Sequence, residues 1–533
     1  MHDKPRPSTR GACALIAVLA CAAGCSGGEI EPTTNVVRAL MPQDPASLSL
    51  IGKPDRYSEI VAYQITDSLV QFDPGMVLVP RVAESWELSA DHRTVTFHVR
   101  DGVRWQDGRP VTAEDVLFTV RQVRDPLVES PFFSALFEDL ESIEAPDART
   151  VRARFLRARP DMLEAWRVPL VPSHLGEEGA ALLTGSFSRH PVGCGPFRFV
   201  RQRPGEEIVL EANDDYWDGR PHLDRLVFRI FPDERTGWEA LLEGDVDIMP
   251  VNPELWREAR ASERGKRLAS FSYYRLNVWQ ITWNHRRGPP LSDPGVRVAL
   301  TMALDRRKFA DNVLYGLAEP AVTTYHPQLR WTDPGIEPWP HDPAGARRRL
   351  EQAGWVDRDG DGVRERDGKP LRLDLMIIAS SQAIVDQMAA WIQQSWAEIG
   401  VDAGIDKLEW QMLRERRNAG EFDAAMFGIS FTPTPDQWEV YHSTAETNYA
   451  GFEDAEVDRL LDAGRHAFDE DERRRIYWRL QRRLHELEPI ACLLYFASPV
   501  LHDRRLVGIV PSPLDEYRHT QGPRTWRWLA AGE

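Results

Sequence analysis

Hydrophobic and polar positions change their period repeatedly along this chain. Val95, Phe97 and Val99 alternate with Thr94, Thr96 and His98, which predicts a half-buried strand over residues 93–99. Residues 57–69 instead carry Ile60, Tyr63, Ile65 and Leu69 at helical spacing. Thr112, with Asp115 three residues on, has the form of a capping box, and the helix behind it buries Val116, Val120 and Val123. Residues 144–149 read as a hairpin link into a strand over 151–155. A strand over 226–231, a helix over 238–242 and a Gly244-Asp245 turn into 246–249 follow. Further helices are predicted over 296–304, over 346–353 with Gly354 as its stop, and over 387–399. A last one carries Ile476, Leu480, Leu484 and Leu487 on one stripe. Such stripes are core faces rather than cofactor boxes. Strands alternating with helices make this an α/β chain with mixed sheets.

Length and charge narrow the partners. The 533 residues are enough for several packed units at about 100–200 residues each. Asp and Glu outnumber Lys and Arg by 82 to 65, a net charge of −17. That balance repels phosphate backbones and offers no basic face to anionic lipid, so nucleic acid is excluded as a partner. The beginning of the chain reads differently. Lys4, Arg6 and Arg10 precede an apolar and small-residue run over 12–24, too short for a bilayer crossing of about 20 residues. Residues 1–24 are read as a signal peptide. Ala22-Ala23-Gly24-Cys25 resembles a bacterial lipobox, which makes Cys25 the lipidated residue and 25–35 a polar tether. A plain cleavage site with a chance cysteine is the alternative. Cys194 and Cys492 then remain as a possible disulfide in an oxidising compartment, or as two isolated buried thiols.

Motifs for catalysis are missing. There is no GxSxG elbow, P-loop or HExxH, no CxxC, and no metal-ligand spacing among the 14 histidines. Gly193-Cys194-Gly195 lacks the third glycine of a dinucleotide fingerprint. Asp357, Asp359 and Asp361 begin like a calcium loop, but the twelfth position is Gly368, where a bidentate Glu is needed. A run of turn formers accounts for them as well. No catalytic residue, metal or cofactor is therefore expected. The 18 Trp, 12 Tyr and 20 Phe suit a core, and suit equally a cleft for a small molecule.

Several segments, taken in order, resemble the family 5 extracytoplasmic solute-binding proteins, the peptide-binding class that feeds ABC importers. They are Val82-Ala-Glu-Ser-Trp-Glu-Leu88, the stretch from Thr96 through Trp105 to Gly108 with Thr112-Ala-Glu-Asp-Val116, Pro191-Val-Gly-Cys-Gly-Pro-Phe197 and Asn213-Asp-Asp-Tyr-Trp217. Leu242-Glu-Gly-Asp-Val-Asp-Ile248, Asp293-Pro-Gly-Val-Arg-Val-Ala-Leu300, Ala353-Gly-Trp355, Glu421-Phe-Asp-Ala-Ala425 and residues 448–458 continue the series.

The resemblance implies a two-lobed clamshell of the periplasmic-binding-protein type, hinged between lobes, with an extra domain on the first. Lobe I would take residues 36–80, 192–283 and 499–533, the extra domain II 81–191, and lobe III 284–498. Crossings would fall near Pro191, Asn284 and Pro499. A monomer would enclose a small-molecule or peptide ligand between its lobes and dock on the importer's permease subunits, its one membrane attachment being the lipid. In peptide-binding relatives an aspartate on the loop after the Phe-Asp segment pairs with the peptide amine. Trp410 and Arg417 keep the pattern before Gly420-Glu-Phe-Asp423, but Met426, Ile429 and Thr432 stand where a second arginine, a tryptophan and that aspartate belong. Asp436 is the candidate to replace the lost charge from a shifted loop, or is a solvated loop acid. Trp438, Tyr449, Trp283 and Asn284 complete the candidate ligand residues. A non-peptide solute such as a sugar or opine-like conjugate, a ligand-presenting sensor, and an envelope hydrolase are the competing readings.

Overall fold

The computed structural model describes residues 35–49, 51–52, 55–380 and 383–530. The signal peptide, Cys25 and nearly all of the tether lie outside the described residues.

A 14-residue strand, Ile490–Asp503, organises the molecule. Its first part pairs antiparallel with Asn277–Trp283, and its last part with Leu268–Tyr274 and Ile248–Pro250. The sheet extends from one side of this strand through Asn277–Trp283, Ala424–Ser430, Arg372–Ile378 and Asp402–Leu408. From the other side it runs through Ile248–Pro250, Val36–Met41, Arg225–Ile230, Glu207–Ala212 and Phe197–Arg203. Parallel pairs (Val36–Met41 with Arg225–Ile230) and antiparallel pairs coexist, so the sheets are mixed as expected. Each half is an α/β lobe with its own core. One is built on Val37, Ala39, Phe228, Ile248 and Val500, the other on Ile281, Trp283, Leu375, Ile392 and Leu493.

The chain passes between lobes twice side by side, at residues 275–276 and again where Tyr274 faces Ala497. The first passage falls earlier than Asn284. Asn277–Trp283 is a strand of lobe III and not of lobe I, because its apolar side chains enter the core of that lobe.

The strands Ala83–Leu88, Thr94–Val99, Thr150–Phe155 and Leu140–Asp147 make a separate antiparallel sheet in that spatial order. Its buried face, Val95, Phe97, Val99, Val151, Ala153 and Phe155, packs on the helix Ala113–Arg124. Asp115 starts that helix as the capping pattern requires, accepting the Thr112 backbone N–H at 2.9 Å. Its other oxygen accepts from Ser173 Oγ at 2.7 Å, which ties a distant loop to the same helix end.

Cys194 lies in the core of this sheet and Cys492 in a core of lobe III, and both are free. The possible disulfide is therefore corrected to two buried thiols in separate cores. Burial raises the pKa of each, which makes them poor nucleophiles. Asp357, Asp359 and Asp361 are exposed. Their carboxylates accept the backbone N–H groups of Gly360, Asp361, Gly362 and Val363, as turn formers do. No helix among the described residues is long and apolar enough to cross a membrane.

Candidate functional site

Between the lobes lies a cavity of about 400 Å³ to which all three parts of the chain contribute. The helix Arg56–Ile65 begins at Asp55, whose carboxylate accepts from Ser58 N at 2.7 Å. Ile60, Val61 and Ile65 face the core, which leaves Glu59 and Tyr63 on the cavity side. Phe72 and Gln71 come from a short hairpin strand, Phe132 and Phe133 from the helix Pro131–Leu136, and Arg167 from the end of the short helical turn Met162–Arg167. Lobe III supplies Phe431, Thr432 and Pro433, and the last segment of the chain supplies Leu514 and Arg518. Aromatic walls with a few fixed charges are what a small-molecule site requires.

The charges differ in how far they are already committed. Arg518 donates to Asp515 Oδ2 at 2.8 Å and to the Leu514 carbonyl at 3.1 Å, and it pairs with Glu59. Asp515 has no exposed surface and also accepts the backbone N–H groups of Tyr517 and Arg518, each at 2.9 Å. Burial works against its charge, but Arg518, Arg56 and these N–H groups hold its pKa below the usual carboxylate range. Desolvation raises that of Glu59 in spite of Arg518. Arg167 is less occupied. Its guanidinium lies 4.5 Å from the Phe72 ring centre, its nearest acid, Glu164, is 3.9 Å away, and its Nε is buried without a hydrogen-bond partner. It is a cation with donor capacity to spare at the rim of an aromatic cavity.

Of the eight residues expected to bind ligand, Thr432 borders this cavity and the other seven do not. Trp283 is a fully buried core residue, 5.9 Å from the ring of Trp396. Asn284 is also buried. It donates to the carbonyls of Gly420 and Phe422 at 2.9 and 2.7 Å and accepts the Arg286 N–H, which uses its amide for the chain. Trp410 opens the helix Trp410–Ala419 with about half its surface exposed (48%). Arg417 and Tyr449 do come together, with the guanidinium 4.4 Å from the ring centre, and burial lowers the arginine's pKa. Asp436 is not a free acid. One oxygen accepts from Arg465 Nε at 2.7 Å and the other from Trp438 N at 3.0 Å. Trp438 stacks on His442 at 4.4 Å and donates to Asp462. Six of these seven are engaged by core packing or by neighbouring protein groups, and Trp410 is half-exposed away from the cavity.

The residues that do shape the cavity were not singled out from sequence. Tyr63 looked like one more core position on a helical stripe, and Arg167 sits unmarked beside Trp166. The available signal was charge inside an apolar context, as with Arg167 after Met162, Leu163 and Trp166.

Two α/β lobes joined by adjacent crossing strands, with an aromatic cavity between them, have the form of a protein that encloses a solute. Residues 77–451 match the family model described as bacterial extracellular solute-binding proteins, family 5, middle region, and the chain belongs to this family. Such proteins act outside the cytoplasm and pass a peptide or other small solute to an ABC importer. The chain is 27% identical over 532 residues to the oligopeptide-binding protein AppA of Bacillus subtilis, with 95% of this chain and 96% of the relative covered. It is 28% identical over 479 residues to heme-binding protein A of Haemophilus influenzae, with 84% and 85% covered. The solved structure of the oligopeptide-binding protein AppA from Bacillus subtilis in complex with a nonapeptide matches with a TM-score of 0.69 at 26% identity, covering 93% of this chain and 99% of the other.

Proposed function

We propose that this protein captures a peptide in the interlobe cavity and that its closed, loaded form docks on the permease of an ABC importer. The carrying observation is the cavity itself. Its walls come from lobe I, the extra domain and lobe III together, so a ligand there gains contacts from both lobes only when they close. Arg167, with its unpartnered Nε, suits a carboxylate or a backbone carbonyl of the ligand, and Phe72, Phe132 and Phe431 suit apolar side chains. The protein works as a monomer, held to the membrane through a lipid on Cys25, and performs no covalent chemistry on its cargo.

A second reading, a solute without an α-amine, draws on Thr432. Thr432 stands at the position where the resemblance places the amine-binding aspartate, and Glu59, the one carboxylate among the described residues lining the interlobe cavity, is paired with Arg518. Mass spectrometry on protein purified without denaturation and then denatured decides between them. A ladder of short peptides is the expected release. One defined non-peptide compound supports the second reading and contradicts the first.

A further inference from the structure

The end of lobe I opposite the passages between lobes carries a basic face. The strand Leu268–Tyr274 runs from this end to the first passage, and Ile490–Asp503 runs back to it, with Leu268 paired to Asp503. Asp503 N donates to the Asp247 carbonyl at 2.9 Å and Asp247 N to that of Arg38 at 2.7 Å, so the strand Val36–Met41 begins at the same end. Trp528 Nε1 donates to the Val36 carbonyl there at 3.0 Å.

Some of the cations here have acids of their own. Arg264 pairs with Glu239 at 3.0 Å, Lys266 with Glu263 at 2.6 Å and Arg505 with Asp503 at 2.7 Å. Arg225, Arg260, Arg267 and Arg504 are also exposed, and none of them has an acid within ion-pair distance among the described residues. Against them stand Glu243 and Asp245, exposed on the turn that leads into Ile248–Pro250. The face is concave as well. A cavity of about 270 Å³ lies beside the helix Pro253–Ala261, lined by Arg260, Lys266 and Arg504 with Ala259, Leu268 and Leu501 as its apolar part. Arg504 is held in place, donating through Nε to the Arg267 carbonyl at 2.9 Å and also to that of Lys266. Arg260 lies 5.6 Å from the ring centre of Trp256. Cations fixed around a cavity are a donor set for a phosphate group. The net charge of −17 foretells no such face, because it averages over the whole surface.

We propose that this end of lobe I rests on the headgroups of anionic phospholipids, with a headgroup phosphate in the cavity between Arg260, Lys266 and Arg504. The tether supplies the second reason, and this part rests on the lipid on Cys25 proposed above. The tether joins the fold at Val36, on this same end, and the chain from Cys25 to Asn35 reaches about 35 Å at most when fully extended. An anchor on so short a lead keeps the basic face within reach of the bilayer, where each unpaired Lys or Arg raises the partition by about fivefold.

The test is hydrogen–deuterium exchange on the protein purified from the envelope and mixed with vesicles. One set is phosphatidylcholine alone, the other phosphatidylcholine and phosphatidylglycerol at about three to one. The expected result is attachment to both, with exchange over residues 259–270 and 503–507 slowed by about tenfold on the mixed vesicles only. Salt at about 0.5 M removes that protection. So does the double variant Arg260→Glu with Lys266→Glu, checked for folding by its thermal transition; should it fail to fold, salt still decides. Equal exchange of attached protein on the two kinds of vesicle, or protection that survives salt, overturns the headgroup contact and leaves the anchor standing. Attachment to the mixed vesicles alone supports the contact and overturns the lipid on Cys25. Attachment to neither overturns both. Protection by inorganic phosphate without vesicles assigns the cavity to a small anion and overturns the membrane contact.

Discussion

Two stretches of this chain look alike in composition and behave differently in the fold. Residues 410–449 carry Trp410, Arg417, Asp436, Trp438 and Tyr449, and residues 56–63 with 514–518 carry Arg56, Glu59, Tyr63, Asp515, Glu516 and Arg518. In the first stretch the polar groups answer one another. Asp436 takes Arg465, Trp438 takes Asp462, and Arg417 covers Tyr449. In the second, one ion network, Arg518 with Asp515 and Glu59, holds a wall whose two sides face cavities. Aromatic and charged residues thus mark a ligand site when their hydrogen-bonding capacity is unspent and aimed at space. The same residues with every partner present mark structure.

Breaking the buried network should have the largest effect. Asp515→Ala leaves Arg518 and Arg56 without their shared acid inside the fold, and urea unfolding should show a loss of about 3–5 kcal/mol. A loss below about 1 kcal/mol would show that the wall does not depend on this pair. Next comes His326, packed in lobe III against Tyr495, whose pKa burial lowers to about 4. The unfolded chain takes up this proton near pH 6.5 and the native state does not. The contribution is therefore complete above pH 6.5 and is lost as pH falls toward 4. His326→Gln should remove about 3 kcal/mol of pH-dependent destabilisation over that window. Parallel stability curves for the two proteins between pH 7 and 4 would refute this.

Arg167→Met keeps the stem that lies along Phe72 and deletes the guanidinium, so it should weaken solute binding by about tenfold or more with a small change in stability. Titration with the natural solute reads this directly, and unchanged affinity would remove Arg167 from the site. The smallest effect belongs to Asp436→Asn. It loses an ion pair with a partly exposed arginine, worth about 1 kcal/mol of stability, and should leave affinity unaltered. A tenfold loss of affinity there would reverse the contrast between the two stretches.

The fold was legible wherever one face of an element meets water. Thr94–Val99 alternates buried and half-buried positions along its length, and the period-two pattern reported it. The helix Arg56–Ile65 was drawn too long, because Thr66 adopts extended backbone after it while Leu69 continues the apolar stripe by coincidence. The first passage between lobes was misplaced for the opposite reason. Most of Asn277–Trp283 is buried, and with almost no exposed face the strand shows no period to follow.

The site was less legible, since its meaning lies in pairings between distant positions. Asp436 and Arg465 are far apart in sequence, and nothing local announces that they neutralise each other. Nothing in the sequence marks residues 515–518, and only the fold shows that Asp515, Glu516 and Tyr517 are buried. Thr432 was reached through the resemblance, which aligns a loop by motif and so finds the position without its partners.

Hydrogen–deuterium exchange of the full-length protein, with and without the solute released from it, tests the central contrast most directly. The account predicts new protection over residues 56–65, 131–133, 431–433 and 514–518, with the segment 436–449 unchanged. Protection confined to 436–449, with the helix Arg56–Ile65 and the 514–518 segment unaffected, would contradict it.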